Sequence, residues 1–395
     1  MVTQFGTASA TAGTGDVAGE SAAAAALDDI DAMTPDFVMV FSTAVHDYED
    51  VLAGVRSVVG DTKLLGASTS GEFTEDGMAE DSVVVTVVSS DEMQFFTGLG
   101  RNLTEDIETA VADAAADLPD DIEGYPPRLG INLHDGLAGR GEEVTMLGYQ
   151  HYPIPFTGGS AGDALALEET AVFVDDTVAT DAVALGLVAS KKPFSLSATH
   201  GHEPISGPLE VTDGEANVVE TLEGRPAFEV YADAIADYAD EHYDIDVEDL
   251  EEGEIDQLLT FFQFGIETAD DEFKVRWAGT TPNTDGPLHF ATTVPEGTRL
   301  HVMHSPKEAQ IDSAREAARS AREGHESDGV AGAFVFDCAC RGAILGDDFG
   351  VAVDAMAEEL NTPLSGFETY GEVCLREGEM RGYHNTTSSV VLFPE

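Results

Sequence analysis

The sequence predicts an α/β fold: two domains with mixed β-sheets flanked by helices, built from repeated strand-helix-strand units that can stack as α-β-β-α layers. Three observations predict it. Apolar runs of strand length alternate with segments of helical period. A turn of the form G-x-x-T-x-G-E is written twice, in GASTSGEF at residues 66–73 and in GFETYGEV at residues 366–373. The 395 residues also exceed the roughly 250 to 300 that a single core usually organises.

The elements follow in order. Asp16 is placed to cap a helix through VAGESAAAAALDDIDA, with Pro35 just past its end. DFVMVFS has strand length, YEDVLAGVRSVVG spaces Val51, Leu52, Val55, Val58 and Val59 as one helix face, and KLLGAS returns as a strand. After the turn, DSVVVTVVSS reads as a third strand. The C-terminal end repeats that order with GAFVFDC, GDDFGVAVDAMAEEL, TPLSGF, the second turn and TTSSVVLF. Thr62 and Leu64 match Thr362 and Leu364. A looser third copy lies between, in RLGINLHDG, EEVTMLGYQHYP, PFTGGSAGD, TAVFVD and AVALGLVAS, where Gly162 and Asp163 stand for Gly71 and Glu72. The Gly- and Pro-punctuated run at 200–231 reads as the crossing between domains. DYADEHYDIDVEDLEEGEIDQ reads as a solvated helix and loop, and EAQIDSAREAARSAREGHESD as a helix with Arg315, Arg319 and Arg322 on one face, a stripe that pairs with nearby surface acids or else docks a partner.

Charge narrows the function. Eighteen basic against 76 acidic residues give a net charge of −58, a self-repulsion that molar salt relieves by shrinking the screening length to about 3 Å. The expectation is a halophilic, haloarchaeal-like protein of a salt-loaded cytosol. Nucleic acid is a poor partner, because phosphate binding needs clustered Lys and Arg. Three cysteines, Cys338, Cys340 and Cys374, fit a reducing compartment better than a disulfide framework. No apolar run approaches the ~20 residues of a membrane helix, and Ala22 to Ala26 is too short for a secretory core, so the expected location is cytoplasmic without membrane insertion.

LLGASTSGEF, GGSAGD, the run at 200–231, VRWAGTTPNTDGPLHFATTVPEGTRLHVM, FDCACRGAILG, GFETYGEV and HNTTSSVVLF together resemble the FIST family. They follow its N-terminal and C-terminal domains in order, which the resemblance places at 10–205 and 206–395. It implies a sensory module of signal transduction that binds a small ligand, such as an amino acid. Some family members are fused to receptor or kinase output domains and eukaryotic ones to an F-box. The two halves take up this chain, so the resemblance implies a separate output protein of receptor or kinase type.

The residues themselves offer a chemistry. Glycine admits positive φ or close backbone approach, and the Glu after it can aim a carboxylate into the crevice at the strand ends. Glu72 and Glu372 would then face an ammonium group, or else bond their own loop amides. Arg341 follows an apolar strand and can meet a ligand carboxylate with its planar fork, or a structural partner instead. Ser68, Ser160, Asp163, Tyr370, His384 and Asn385 lie at or beside the turns, and Cys338 can sit as a thiol beside the ligand. No catalytic residue, cofactor or metal is assigned: the sequence holds no G-x-G-x-x-G, P-loop or H-E-x-x-H. Residues 158–162 satisfy G-x-S-x-G with His200 downstream, yet Pro153 and Pro155 leave no regular nucleophile elbow, and Ser160 reads as a turn residue. Cys338 and Cys340 would share one side of a strand, near Cys374 and His384, but lack the spacing of a zinc knuckle. His301 and His304 read as structural. An enzyme using Cys338 or Glu372, and a ligand-free interaction scaffold, are the alternatives.

Overall fold

In the computed structural model, the described residues are 3–11, 13–79, 81–247, 249–250, 254–268, 272–284, 286–379 and 381–395. Mixed sheets flanked by helices are observed, and the looser middle copy is a full member of the series. The first unit runs strand Gln4–Ala10, helix Gly15–Asp28, strand Phe37–Thr43, helix Tyr48–Val59, strand Lys63–Thr69, hairpin Glu72–Thr74 and Gly77–Ala79, strand Val83–Ser89. The second repeats it as Met93–Arg101, Ile107–Ala116, Pro127–His134, Gly141–His151, Phe156–Ser160, Val172–Val174 with Thr177–Ala179, and Ala182–Ser190. The third has Ser195–Thr199, helix Lys307–Glu323, Val330–Cys338, helices Ala339–Leu345 and Phe349–Leu360, Leu364–Thr369, Glu372–Leu375 with Tyr383–His384, and Ser388–Pro394.

Each unit gives its hairpin away. Glu72–Thr74 pairs with Leu364–Thr369 of the third unit, Glu372–Leu375 with Phe156–Ser160 of the second, and Val172–Val174 with Lys63–Thr69 of the first. The exchange closes a ring of three six-stranded sheets. Within each, the two strands joined by the crossover helix are parallel, and register aligns Thr43 with Thr69, His134 with Ser160 and Cys338 with Thr369. Inner faces meet in one core that mixes the three sheets, including Phe41, Leu133, Phe336 and Phe367. Helices cover the outer faces, as alternation of buried strands with amphipathic segments dictates.

Local chemistry sets the helix ends. Asp47 and Asp106 accept the amides of Asp50 and Thr109 at 3.1 Å, satisfying orphan donors. Asn361, at φ 47°, ends Phe349–Leu360 in the left-handed conformation. Asp16 is not the first helix's cap: Thr14 occupies that position, its hydroxyl bonds Asp16, and the helix stops at Asp28. The run at 200–231 is not a bare crossing. Strands Leu209–Glu215 and Val218–Leu222 and the start of helix Ala227–Tyr243 come from it, within an insert between the first strand and first helix of the third unit. That insert has its own eight-stranded sheet and its own core around Tyr231, Phe264 and Phe290. The acidic stretch at 237–257 lies partly outside the described residues; its described ends fall on helices Ala227–Tyr243 and Glu254–Phe261. Arg315 and Arg319 pair with Asp312 and Glu316, while Arg322 donates to the last carbonyls of the neighbouring helix, Glu359 O and Leu360 O.

Candidate functional site

The exchange brings the three turns together. Ser70 N donates to Glu368 O at 3.1 Å and Glu368 N to Gly71 O at 2.7 Å; Gly162 N reaches Ser68 O at 2.9 Å; Ser160 N reaches Gly371 O at 2.8 Å and Tyr370 N reaches Ser160 O at 3.2 Å. None of Gly71, Gly162 and Gly371 has positive φ, so of glycine's two uses the turns need only close approach. A Cβ on Gly371 would lie 1.9 Å from the Tyr383 hydroxyl, one on Gly162 2.5 Å from Ser70 Oγ, and one on Gly71 3.0 Å from Glu368 Oε1.

The two repeated glutamates turn inward on their own loops. Glu72 accepts from Thr69 Oγ1 at 2.5 Å and from Ser82 N at 3.1 Å and its hydroxyl. Glu372 accepts from Thr369 Oγ1 at 2.6 Å and Thr387 N at 3.1 Å. Burial pushes Glu72 up to about 7 and Glu372 well above the carboxylate range. Asp163, one methylene shorter, works differently: it accepts the amides of Leu167, Glu168 and Glu169 at 2.7–3.0 Å and the Tyr370 hydroxyl. Burial acts to raise its pKa, but these hydrogen bonds outweigh it and hold the group below the usual range. Arg341 is wholly buried and spends its fork on structure, bonding Asp337 Oδ1 at 2.6 Å, Ser313 Oγ at 2.9 Å and Gln310 at its carbonyl (3.1 Å) and side chain. Ser68 Oγ accepts Ala171 N at 2.9 Å.

Beside the turns lies a cavity of about 390 Å³, at the junction of the second unit, the third unit and the insert. Cys338, Ala339, Cys340, Thr369, Tyr370, Tyr383 and Asn385 come from the third unit. Leu137, between Gly136 and Gly139, and the loop residues Leu165 and Leu167 come from the second. The insert supplies Trp277, Phe290, His289, Asn217, Thr280 and Ala291. Three expected residues, Cys338, Tyr370 and Asn385, therefore line it, and three more form its backing. Asp163 and Tyr370 clamp the loop bearing Leu165 and Leu167, with Leu165 N donating to the Tyr370 hydroxyl at 2.8 Å. Both leucines hold left-handed φ, 63° and 55°, and both are largely exposed. Ser160 Oγ stands 2.9 Å from the Tyr383 hydroxyl and 2.7 Å from His134 Nε2, whose Nδ1 is 3.2 Å from Asn132 Oδ1. Glu372 fixes Thr369 and the turn after Asn385. Glu72, Ser68 and Arg341 reach no part of the cavity wall, and His384 borders a separate, larger groove of about 690 Å³ with Lys274, Arg376 and Arg381.

Burial holds His134 down to about 3, so the Ser160–His134–Asn132 relay stays neutral; it orients Tyr383, and Ser160 is closed off behind that ring. His200, the sequence's candidate base, bonds Phe273 O at 2.7 Å. Burial pushes the Cys338 thiol well up, away from a nucleophilic thiolate. Cys340 sits on the helix after the strand, so the two thiols do not share a strand face. His301 and His304 bond Ser206 O and the Tyr243 hydroxyl. No group of three His, Cys, Asp or Glu poised for a metal occurs among the described residues. Sequence reasoning missed Trp277, the only tryptophan of the chain, although that rarity was its signal. It also missed Tyr383 and His134, which only the hairpin exchange and strand register bring to Ser160.

Three hairpin-swapping α/β units, with an insert that completes a partly open cavity beside the turns, define an α/β protein. The chain belongs to the FIST family: residues 36–225 match the FIST N domain and residues 227–375 the FIST C domain, domains associated with sensory roles in signal transduction. An uncharacterised protein of Methanocaldococcus jannaschii is 24% identical over 216 residues, 51% of this chain and 41% of that protein, so the chain spans under half of the relative's length. The structure of PurLQS from Thermotoga maritima covers 99% of this chain and 72% of that one at 11% identity, with a TM-score of 0.22, too low to indicate a shared fold. Among the described residues no helix is long and apolar enough to cross a membrane.

Proposed function

We propose that this protein is an intracellular sensor that binds a small polar metabolite in the cavity beneath the Leu165–Leu167 loop and passes occupancy to a separate signalling partner. The single observation that carries this reading is the partly open hollow of about 390 Å³ with mostly apolar and aromatic walls and a few fixed polar groups, the size and make-up of ordinary ligand sites. An enzyme in the same place would draw on Cys338 or Glu372, and burial keeps both protonated, which favours binding over turnover. Of the ligands the sequence suggests, an amino acid would bring two opposite charges to a wall that has neither among its described residues. Occupancy would be read out through the strained, exposed loop that covers the cavity. The test is a thermal-shift screen of metabolites in molar KCl. A stabilising compound recovered unchanged after incubation is expected; a compound consumed on incubation would replace the sensor with an enzyme.

A further inference from the structure

Resting on the cavity as the binding site, we infer that its ligand is an uncharged, ring-bearing molecule with an amide-like donor and acceptor, such as a lactam or a pyrimidine-type ring, and not a zwitterionic amino acid.

Three observations converge. First, the chain carries 94 charged residues, yet no Asp, Glu, Lys or Arg side chain borders the cavity among the described residues. An ammonium or carboxylate buried here would lose its hydration and find no counter-charge on the wall. The net charge of −58 further opposes an anion.

Second, the walls are rings. Trp277, Phe290 and His289 come from the insert and Tyr370 and Tyr383 from the third unit. Flat π surfaces favour a flat guest. Trp277 packs on Gly279, where a Cβ would lie 1.9 Å from the indole, so side chains larger than glycine there displace the ring.

Third, two polar atoms of wall residues, Asn385 Oδ1 and Trp277 Nε1, are fully buried with no hydrogen-bond partner among the described residues, and Asn385 is only 2% exposed. The other wall hydroxyls are already committed: Tyr370 to Asp163, Tyr383 to Ser160, Thr369 to Glu372 and Thr280 to His289 O. A buried acceptor and a buried donor without partners cost free energy that a ligand offering one N–H and one C=O would recover.

The experiment uses the full chain in molar KCl and follows both melting temperature and Trp277 emission. Uracil, 2-pyrrolidinone and benzamide form the neutral arm; glutamate, leucine and lysine the amino-acid arm; tetramethylammonium tests a cation held by the rings alone. The expected result is binding confined to the neutral arm, with a change in Trp277 emission, and affinity about tenfold weaker in Asn385→Leu. Tighter binding by an amino acid or by tetramethylammonium, with a change in emission, overturns the ligand class while the cavity stands. A compound that raises the melting temperature with Trp277 emission unaltered, or no response in any arm, overturns the cavity as the site and the ligand class with it. The wild-type panel decides between these even if Asn385→Leu folds poorly.

Discussion

Arg341, at the end of an apolar strand, has the position expected of a ligand-binding residue, but its surroundings make it a keystone of packing. Buried at 0% exposure against Asp337, it neutralises a carboxylate that also accepts Ser388 Oγ at 2.7 Å. Arg341→Ala is expected to lower stability by roughly 3–5 kcal/mol by leaving Asp337 buried and unpaired; a melting temperature close to wild type would contradict that role. Glu72 gives a pH prediction. The folded protein holds its proton up to about pH 7, against an ordinary 4.5, so this carboxyl favours folding below about pH 4.5 and the contribution is lost as pH rises to about 7. Denaturant melts at pH 4.5 and 7.5 should show wild type losing on the order of 3 kcal/mol relative to Glu72→Gln; parallel profiles would show that Glu72 is not held protonated.

At the scale of elements, the repeated turn is a device for joining units. Its glycines let a side chain from elsewhere press on the backbone, and the obstacle differs at each. Gly371→Ala must move the fixed ring of Tyr383, whereas Gly71→Ala meets only the end of the Glu368 carboxylate. The first is expected to cost more than about 2 kcal/mol and the second under about 1 kcal/mol, read from denaturant midpoints; equal costs would remove the distinction. Much of this was legible in the sequence. Strand runs, helix faces and the echo of residues 66–73 at 366–373 are local patterns, and they placed the crossover helices and central strands of the units, but not the opening strands Gln4–Ala10 and Met93–Arg101, the helix Ile107–Ala116 or most strands of the insert. The gift of each hairpin to the next unit was not legible, since pairing between segments at opposite ends of the chain, as of Thr74 with Ser365, leaves no local trace. For the same reason the turn residues were read as ligand contacts. The glutamates and the Thr three residues before each were visible in the repeated turn, but Ser82 and Thr387 as their partners follow only from the fold, and Asp163 was read as the counterpart of Glu72 when its shorter arm serves another loop.

On the scale of the whole molecule, the ring of exchanged hairpins ties the first 200 residues to the last 65. Removing residues 206–395 would strip the partner strand from Glu72–Thr74 and from Phe156–Ser160 together. We therefore expect one cooperative unfolding transition for the three units, with a melting temperature that climbs between 0.2 and 2 M KCl as the −58 surface is screened. Two separate transitions matching 10–205 and 206–395 would show the halves to be independent. The cavity is the joint product of this ring and its insert, and Trp277, as the sole indole, makes it observable. The most direct measurement is the emission of Trp277 on titration with any compound that raises the melting temperature, compared with an Ala291→Phe variant that fills the cavity. The account predicts a saturable emission change in wild type, absent in the filled variant. A saturating ligand that leaves Trp277 silent and binds Ala291→Phe equally well would contradict it.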